Sequence, residues 1–291
     1  MSPGISPAVS PLDATALTPA DFQKISRLAH EHFGLSLPSG KEGLVAARLG
    51  KAIRDGGYSS FGDYYRHVRE DSTGEALIQL IDSLTTNFTS FLREPAHFEF
   101  LTQTVTGEFR DLQSLRVWSA ACSSGEEPYS IAMTLLDLAA KPACPWTGRF
   151  RVLATDISTR VLSKAQQGIY EIERFKGIPD RWRKNFLLRG KGRYEGCYKF
   201  KPAVVSAIEF ERLNLIQPFP SRSFHFVFCR NVLMYFEKAT QQDIVQRLAR
   251  CVEPGGYLFV GHSETLHSID HSLNYVCPAV YRRGPAGRRN G

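Results

Sequence analysis

Two consecutive strand–turn–helix units set the tightest limit on how this chain can fold. "LRVWSAACSSGEEPYSIAMTLLDLA", from Leu115, passes from an apolar run through a polar turn into a helical pattern. "RFRVLATDISTRVLSKAQQGIY", from Arg149, repeats that unit. "IEFERLNL", "FHFVFCRN" and "GGYLFVGHSE" supply further strands, with the helix "TQQDIVQRLARCV" between the last two. Strands alternating with helices predict an α/β fold built on a parallel, doubly wound sheet, in which helices cover both faces. The run "FHFVFC" suits a strand buried on both sides. It ends abruptly in Arg230 and Asn231, where a parallel sheet holds its ligand.

The segment before residue 86 reads differently. "TPADFQKISRLAHEHFG" opens with Thr18 as N-cap and Pro19 at the first helical position. Phe22, Ile25, Leu28, Ala29 and Phe33 follow at helical spacing, and Gly34 ends the run. Three more short helices follow, in "GKEGLVAARLGKAIRDGG", "SFGDYYRHVRED" and "TGEALIQLIDSLTT". The first of these sets Leu44, Ala47 and Leu49 to Ile53 near one face and Arg48, Lys51 and Arg54 on the other. The expected organisation is a disordered Pro- and Ser-rich segment at 1–18, a helical domain at 19–85, a linker at 86–94, a sheet domain at 95–284 and a basic tail at 285–291. Within the sheet domain, "RGKGRYEGCYKFKPAVVSAIEF", residues 189–210, predicts an inserted antiparallel β element.

Composition narrows the setting. Six scattered cysteines form no Cys-x-x-Cys pair, so neither a zinc knuckle nor a disulfide framework is expected, and reduced thiols in a cytoplasm fit best. No apolar run is long enough to span a bilayer, so no membrane insertion is expected. The net charge of +7 is uneven: residues 1–85 carry 8 Lys/Arg against 10 Asp/Glu, and the remainder 28 against 19. Basic surfaces often meet nucleic acid. A base-extruding nucleic-acid enzyme, however, commonly places a Pro-rich aromatic motif where this chain has "RNVLMYF".

The turn after the first sheet strand indicates the ligand. A dinucleotide needs G-x-G-x-x-G, so that backbone amides approach its pyrophosphate. Here "ACSSGEEP" has one glycine, Gly125, followed by Glu126 and Glu127. Two carboxylates there repel phosphate and suit a cationic ligand. They also complement the helix dipole, an effect of ~0.3–1 kcal/mol. Asp156 ends the second strand, where an acid can accept hydrogen bonds from both ribose hydroxyls or cap the next helix. A nucleoside with a cationic appendage fits this pattern, and S-adenosylmethionine is the obvious candidate.

The strings "TTNFTSFLRE", "RVWSAACSSGEEPYSIAM", "LATDIS", "FCRNVLMYF" and "GHSE" resemble the chemotaxis receptor glutamate O-methyltransferases, the CheR family. The resemblance runs from about residue 18 to 282. It implies a class I methyltransferase sheet with a small helical domain. It also implies methyl transfer from S-adenosylmethionine, leaving S-adenosylhomocysteine, to glutamates on the cytoplasmic helices of chemoreceptors. By position, the family's cofactor contacts fall on Asn87, Thr89, Arg93, Glu126, Asp156, Asn214, Leu215, Arg230 and Asn231. Arg93 is expected to orient the acceptor carboxylate and Tyr235 to contact the sulfonium. His262 is expected to be structural. Arg48, Lys51 and Arg54 are expected to meet the acidic receptor bundle, and in some members the β insertion takes up a receptor C-terminal tail as an added strand. No metal ligands are implied, and a monomer is expected. A cofactor-binding adaptor without catalysis is the alternative from another class.

Overall fold

The computed structural model describes residues 16–219 and 222–285, and the chain divides into two compact units, one ending at Thr86 and the other starting at Asn87. Most of the expected disordered segment, and all but the first residue of the expected basic tail, lie outside the described residues.

The first unit is all helical: α1 (Pro19–Phe33), α2 (Glu42–Asp55), α3 (Phe61–Glu70) and α4 (Glu75–Leu84). Thr18 caps α1 by accepting from the Asp21 amide, and Gly34 closes it in the left-handed conformation at φ 67°. The predicted stripe Phe22, Ile25, Leu28, Ala29 and Phe33 is buried. The register of α2 differs from expectation. Val45, Leu49 and Ile53, spaced by four, are buried, whereas Leu44 is 40% exposed. A stripe at i, i+4, i+8 faces one core, and Leu44 falls one residue off it.

Asp71 orders the α3–α4 junction. One carboxylate oxygen accepts from the Thr73 hydroxyl (2.6 Å) and amide (3.0 Å), the other from the Ala76 amide at the start of α4 (2.7 Å). The Thr73 hydroxyl, then the Ala76 and Thr73 amides, bring its pKa from 3.8 to about 2.

The second unit is a seven-stranded sheet in the order β6-β2-β1-β7-β8-β10-β9. Its strands are β1 (Ser114–Ala120), β2 (Arg149–Asp156), β6 (Ile208–Arg212), β7 (Phe224–Cys229), β8 (Val252–Phe259), β9 (Leu273–Cys277) and β10 (Val280–Arg283). The first five run parallel, and β10 pairs antiparallel with both β8 and β9. Connecting helices include α5 (Ala96–Thr106), α6 (Glu126–Ala139), α7 (Thr159–Gln167) and α10 (Lys238–Cys251). Burial on both faces follows the strand period of two. Phe226 and Phe228 of β7 join the core that includes Phe98, Leu101 and Met133. Val227 and Cys229 join the opposite core that includes Ile244 and Leu248 of α10. This is the doubly wound, Rossmann-like sheet that the alternation of strands and helices predicts.

The inserted element is a separate antiparallel sheet, β3-β5-β4, made of Ile169–Glu171, Leu187–Arg189 and Cys197–Phe200. It starts earlier than the 189–210 reading, and residues 208–210 belong to β6 of the main sheet. Strands of three residues carry too little periodicity to be read from sequence. Two short helices, α8 (Asp180–Phe186) and α9 (Pro202–Val205), flank the last two strands. Phe200 stacks on Tyr129 of α6, with ring centroids 3.9 Å apart and planes 2° apart, which fastens the small sheet to the large one.

Because the folded-state pKa of Asp71 is depressed, its stabilising contribution is present above pH 3.8 and is lost as the pH falls towards 2. Asp71→Asn is expected to flatten thermal stability across that window. A parent-like acid slope in the variant would show that the bonds at this junction do not contribute.

Candidate active site

The sheet's topology locates the site. The chain leaves β1 for β2 on one side and reaches β7 on the other, so a crevice opens at the carboxyl ends of these strands. The turn after β1 coils tightly: Ala121, Ser123 and Gly125 have φ of 64°, 50° and 98°. Only glycine fits at 125, since an added Cβ would come within 2.8 Å of both the Ala165 Cβ and the Tyr170 hydroxyl. The Ser123 amide donates to Asp156 Oδ2 (2.8 Å) and the Ser158 amide to Asp156 Oδ1 (3.0 Å). Asp156 therefore joins the β1 and β2 turns and also serves the start of α7.

Glu126 and Glu127 each have a resident arginine. Glu126 has no exposed surface; it pairs with Arg174 and accepts from the Ser124 hydroxyl at 2.7 Å. Glu127 pairs with Arg230 at 2.9 Å and accepts from the Ser119 hydroxyl at 2.7 Å. Both carboxylates that the sequence reading matched to a cationic ligand thus already have an arginine partner within the protein. An acid this deeply buried needs an internal partner to remain ionised.

Arg230 closes the arrangement. Its side chain is 2% exposed, and it donates to Glu94 (2.9 and 3.3 Å), to Glu127 (2.9 Å) and to the Arg93 carbonyl (2.5 Å). Burial pushes the Glu94 carboxyl up, but the hydrogen bonds and charge of Arg230 outweigh it and bring it below its ordinary value. Asn231 follows in the left-handed region at φ 58°, where asparagine is tolerated better than most residues. Its amide donates to Glu264 at 2.8 Å, as does the Gly261 amide at 2.6 Å. A Cβ at 261 would meet Asn231 Nδ2 at 2.2 Å, so Gly261 makes room for the Asn231 side-chain amide. Tyr235 ends a 3-10 turn, Leu233–Tyr235, and not an α-helical one, and is half-buried. Asn214 accepts the Ile216 amide at 3.2 Å, which turns the chain after β6, and Leu215 beside it is buried.

The stretch before α5 supplies the remaining predicted residues of this unit. The Asn87 carbonyl accepts from the Ser123 hydroxyl (3.1 Å), and that of the buried Thr89 accepts from Arg174 (2.7 Å). Arg93 is half-buried, donates to the Phe88 carbonyl at 3.0 Å and lies 5.8 Å from the centre of the Phe88 ring. The sequence reading missed Glu94, Arg174 and Glu264. Of these, Glu264 alone left a signal, as an acid in the loop just after an apolar strand. Cys122 and Cys229 lie close by, but burial pushes both thiols far up, so neither is a nucleophile at neutral pH.

In the helical unit, Lys51 and Arg54 are exposed. Arg48 is not a free surface cation. Its guanidinium donates to the Leu84 carbonyl at the end of α4 and to Thr86.

Residues 87–280 match the family described as "CheR methyltransferase, SAM binding domain", and residues 20–85 match "CheR methyltransferase, all-alpha domain". The chain belongs to the CheR methyltransferase family. It is similar to the chemotaxis protein methyltransferase of Escherichia coli K12, with 38% identity and coverage of 91% of both chains. It is also similar to chemotaxis protein methyltransferase 2 of Pseudomonas aeruginosa, at 35% identity over 91% of this chain and 93% of that one. The residues at the sheet edge fit the family's cofactor: a carboxylate after β2, side-chain amides at 214 and 231, and no glycine-rich phosphate cradle.

Arg230→Met is expected to destabilise the second unit by about 3–5 kcal/mol, because it strands Glu94 and Glu127 in a poorly solvated interior. Glu127→Gln keeps an acceptor for Arg230 and is expected to cost less. Denaturant unfolding of both variants checks this, and equal small losses would count against Arg230 as the central tie.

Proposed function

We propose that this chain transfers the methyl group of S-adenosylmethionine to glutamate side-chain carboxylates of chemoreceptors. The observation that carries the reading is the match to both CheR domains over nearly the whole chain. Methyltransferase activity and the cofactor follow from the family; glutamate as acceptor and the site roles are our reading.

S-adenosylmethionine, when bound, supplies an electrophilic methyl group on a sulfonium. Asp156, at the end of β2, accepts the ribose hydroxyls. Asn214 and Asn231 offer side-chain amides, Leu215 an apolar wall, and Asn87 and Thr89 border the turn after β1. Glu126 and Arg230 act through what they hold in place: Glu126 orders the turn with Arg174 and Ser124, and Arg230 fixes the Arg93 backbone. Arg93, aimed by the Phe88 carbonyl and ring, presents its remaining N–H donors to the acceptor carboxylate. That carboxylate, with an ordinary pKa of about 4.3, is already ionised at neutral pH and needs no general base. Its negative charge and the sulfonium's positive charge both diminish in the transition state, so a site poor in water favours the step. Tyr235 contacts the sulfonium by its ring or hydroxyl.

Receptor contact rests on the helical unit, where Lys51 and Arg54 offer exposed charge to an acidic helical bundle. Arg48 supports α4 instead. On the small sheet, β4 is an edge strand with Leu188 48% exposed, which suits pairing with an extended receptor tail.

Four outcomes test this reading. Incubation with labelled S-adenosylmethionine and receptor cytoplasmic fragments is expected to give base-labile methyl esters; cofactor binding without esters would favour the adaptor instead. Asp156→Ala is expected to weaken a micromolar affinity, roughly −8 kcal/mol, by about 1.5–3 kcal/mol in calorimetry. Arg93→Ala is expected to depress turnover well beyond its effect on cofactor affinity, and equal losses would make Arg93 a cofactor ligand only. Reversing Lys51 and Arg54 to Glu is expected to slow receptor methylation and flatten its salt dependence while cofactor binding is unchanged. Parent-like rates at low salt would remove α2 from the receptor contact.

A further inference from the structure

Glu94 of the Arg230 network has two histidines against it. His97, at the second position of α5, is 1% exposed, and both of its ring nitrogens are buried without a hydrogen-bond partner. Burial first, then the charge of Arg230, brings its pKa down to about 4, so the ring is neutral at physiological pH and one nitrogen carries a lone pair. Its Nδ1 lies 3.5 Å from Glu94 Oε2. His262, after β8, places Nε2 at 4.0 Å from the same Glu94 oxygen, and its ring meets that of His97 edge-on at 4.9 Å. One donor atom from each of the three residues lies within 4.8 Å of the other two.

We propose that Glu94, His97 and His262 form a site for a divalent transition-metal ion, Zn2+ by the chemistry of its donors. Two imidazoles and a carboxylate are an ordinary zinc set that leaves a fourth position for water. Metal–ligand bonds of about 2.1 Å at the tetrahedral angle put neighbouring donor atoms about 3.4 Å apart. The His97–Glu94 separation meets that spacing, and the half-exposed His262 ring must move inward from 4.0 Å to reach it. The carboxylate is held on both oxygens: Arg230 donates to Oε2 through Nε (3.3 Å) and Nη2 (2.9 Å), while the Asn231 side-chain amide (3.5 Å) and the His262 amide (3.3 Å) donate to Oε1. Arg230 and the amino end of α5 oppose a cation, whereas Glu94 and Glu127 together outnumber the single arginine. Bound there, the ion would clasp the turn before α5 to the loop after β8, on either side of Arg230 and Asn231. The proposal stands independently of the methyl-transfer reading.

Titration of the full chain with Zn2+ at neutral pH is expected to show about one ion per chain and a rise in Tm. Co2+ is expected to give the intense visible absorption of a four-coordinate N/O site without a thiolate charge-transfer band. His262→Ala, at an exposed position that leaves the core untouched, is expected to weaken Zn2+ binding at least tenfold and to abolish the rise in Tm. His97→Gln is a second variant, read only on protein shown to be folded, with the same loss expected. Absence of stoichiometric binding would overturn the proposal. So would binding that survives His262→Ala, or a thiolate band pointing to the half-buried Cys144, Cys197 or Cys277.

Discussion

The guanidinium of Arg230 sits where almost no water reaches it, and much of the second unit is arranged to make that tolerable. An uncompensated buried cation costs several kcal/mol or more, so its donors must all find acceptors. Those acceptors come from separate parts of the chain: Glu127 from the first turn of α6, and Glu94 and the Arg93 carbonyl from the segment before α5. One side chain at the end of β7 therefore ties the helix after β1 to the stretch that carries Arg93. Packing the Phe98 ring against it, at 6.0 Å, further excludes solvent. Because removing any partner strands another charge, the set behaves as a unit and resists small displacements of the crevice.

Backbone strain is concentrated around the same crevice. Leu92, Glu94, Ala121, Ser123 and Asn231 all have positive φ without being glycine. Such conformations cost of order 1 kcal/mol or more each and persist where the surroundings over-determine them. The hydrogen bonds supply that over-determination. The Leu92 amide donates to the Ser130 hydroxyl at 2.9 Å, Ser123 is held by Asp156, and Asn231 is held by Glu264. Burial raises the Glu264 pKa while the Gly261, Asn231 and Met234 amides lower it, so this acid is spent on loop geometry.

The alternation of strands and helices made the main sheet legible, since periods of 2 and 3.6 survive in single segments. Thr18, Pro19 and Gly34 likewise marked α1 because caps are local chemistry. The three-residue strands of the small sheet were not legible, because their pairing is decided by residues up to thirty positions away, as with Ile169 and Lys199. At the site, Asp156 and Arg230 stood out as polar residues closing apolar strands. What sequence could not show was their partners. The pairing of Glu127 with Arg230 spans 103 positions and that of Glu126 with Arg174 spans 48. Read without those arginines, the acidic turn appeared to offer its charge to a ligand.

That difference changes how the crevice can act on a cation. Two free carboxylates would attract a sulfonium by long-range charge, and would equally stabilise it against losing that charge in methyl transfer. With Arg174 and Arg230 neutralising them, the turn after β1 contributes shape and hydrogen bonds and little net field. On our reading, binding then depends on groups that recognise the rest of the cofactor, Asp156 foremost among them. Such contacts are the same before and during the reaction, so they hold the methyl group in place without deepening the ground state at the sulfur. On our reading, the charge that does face the reacting atoms is Arg93, on the acceptor's side. There it must orient a carboxylate that loses charge as it is esterified. A single, half-exposed guanidinium aimed by Phe88 suits that task better than a buried one, because its hold relaxes into water as the ester forms and the neutral product is free to leave.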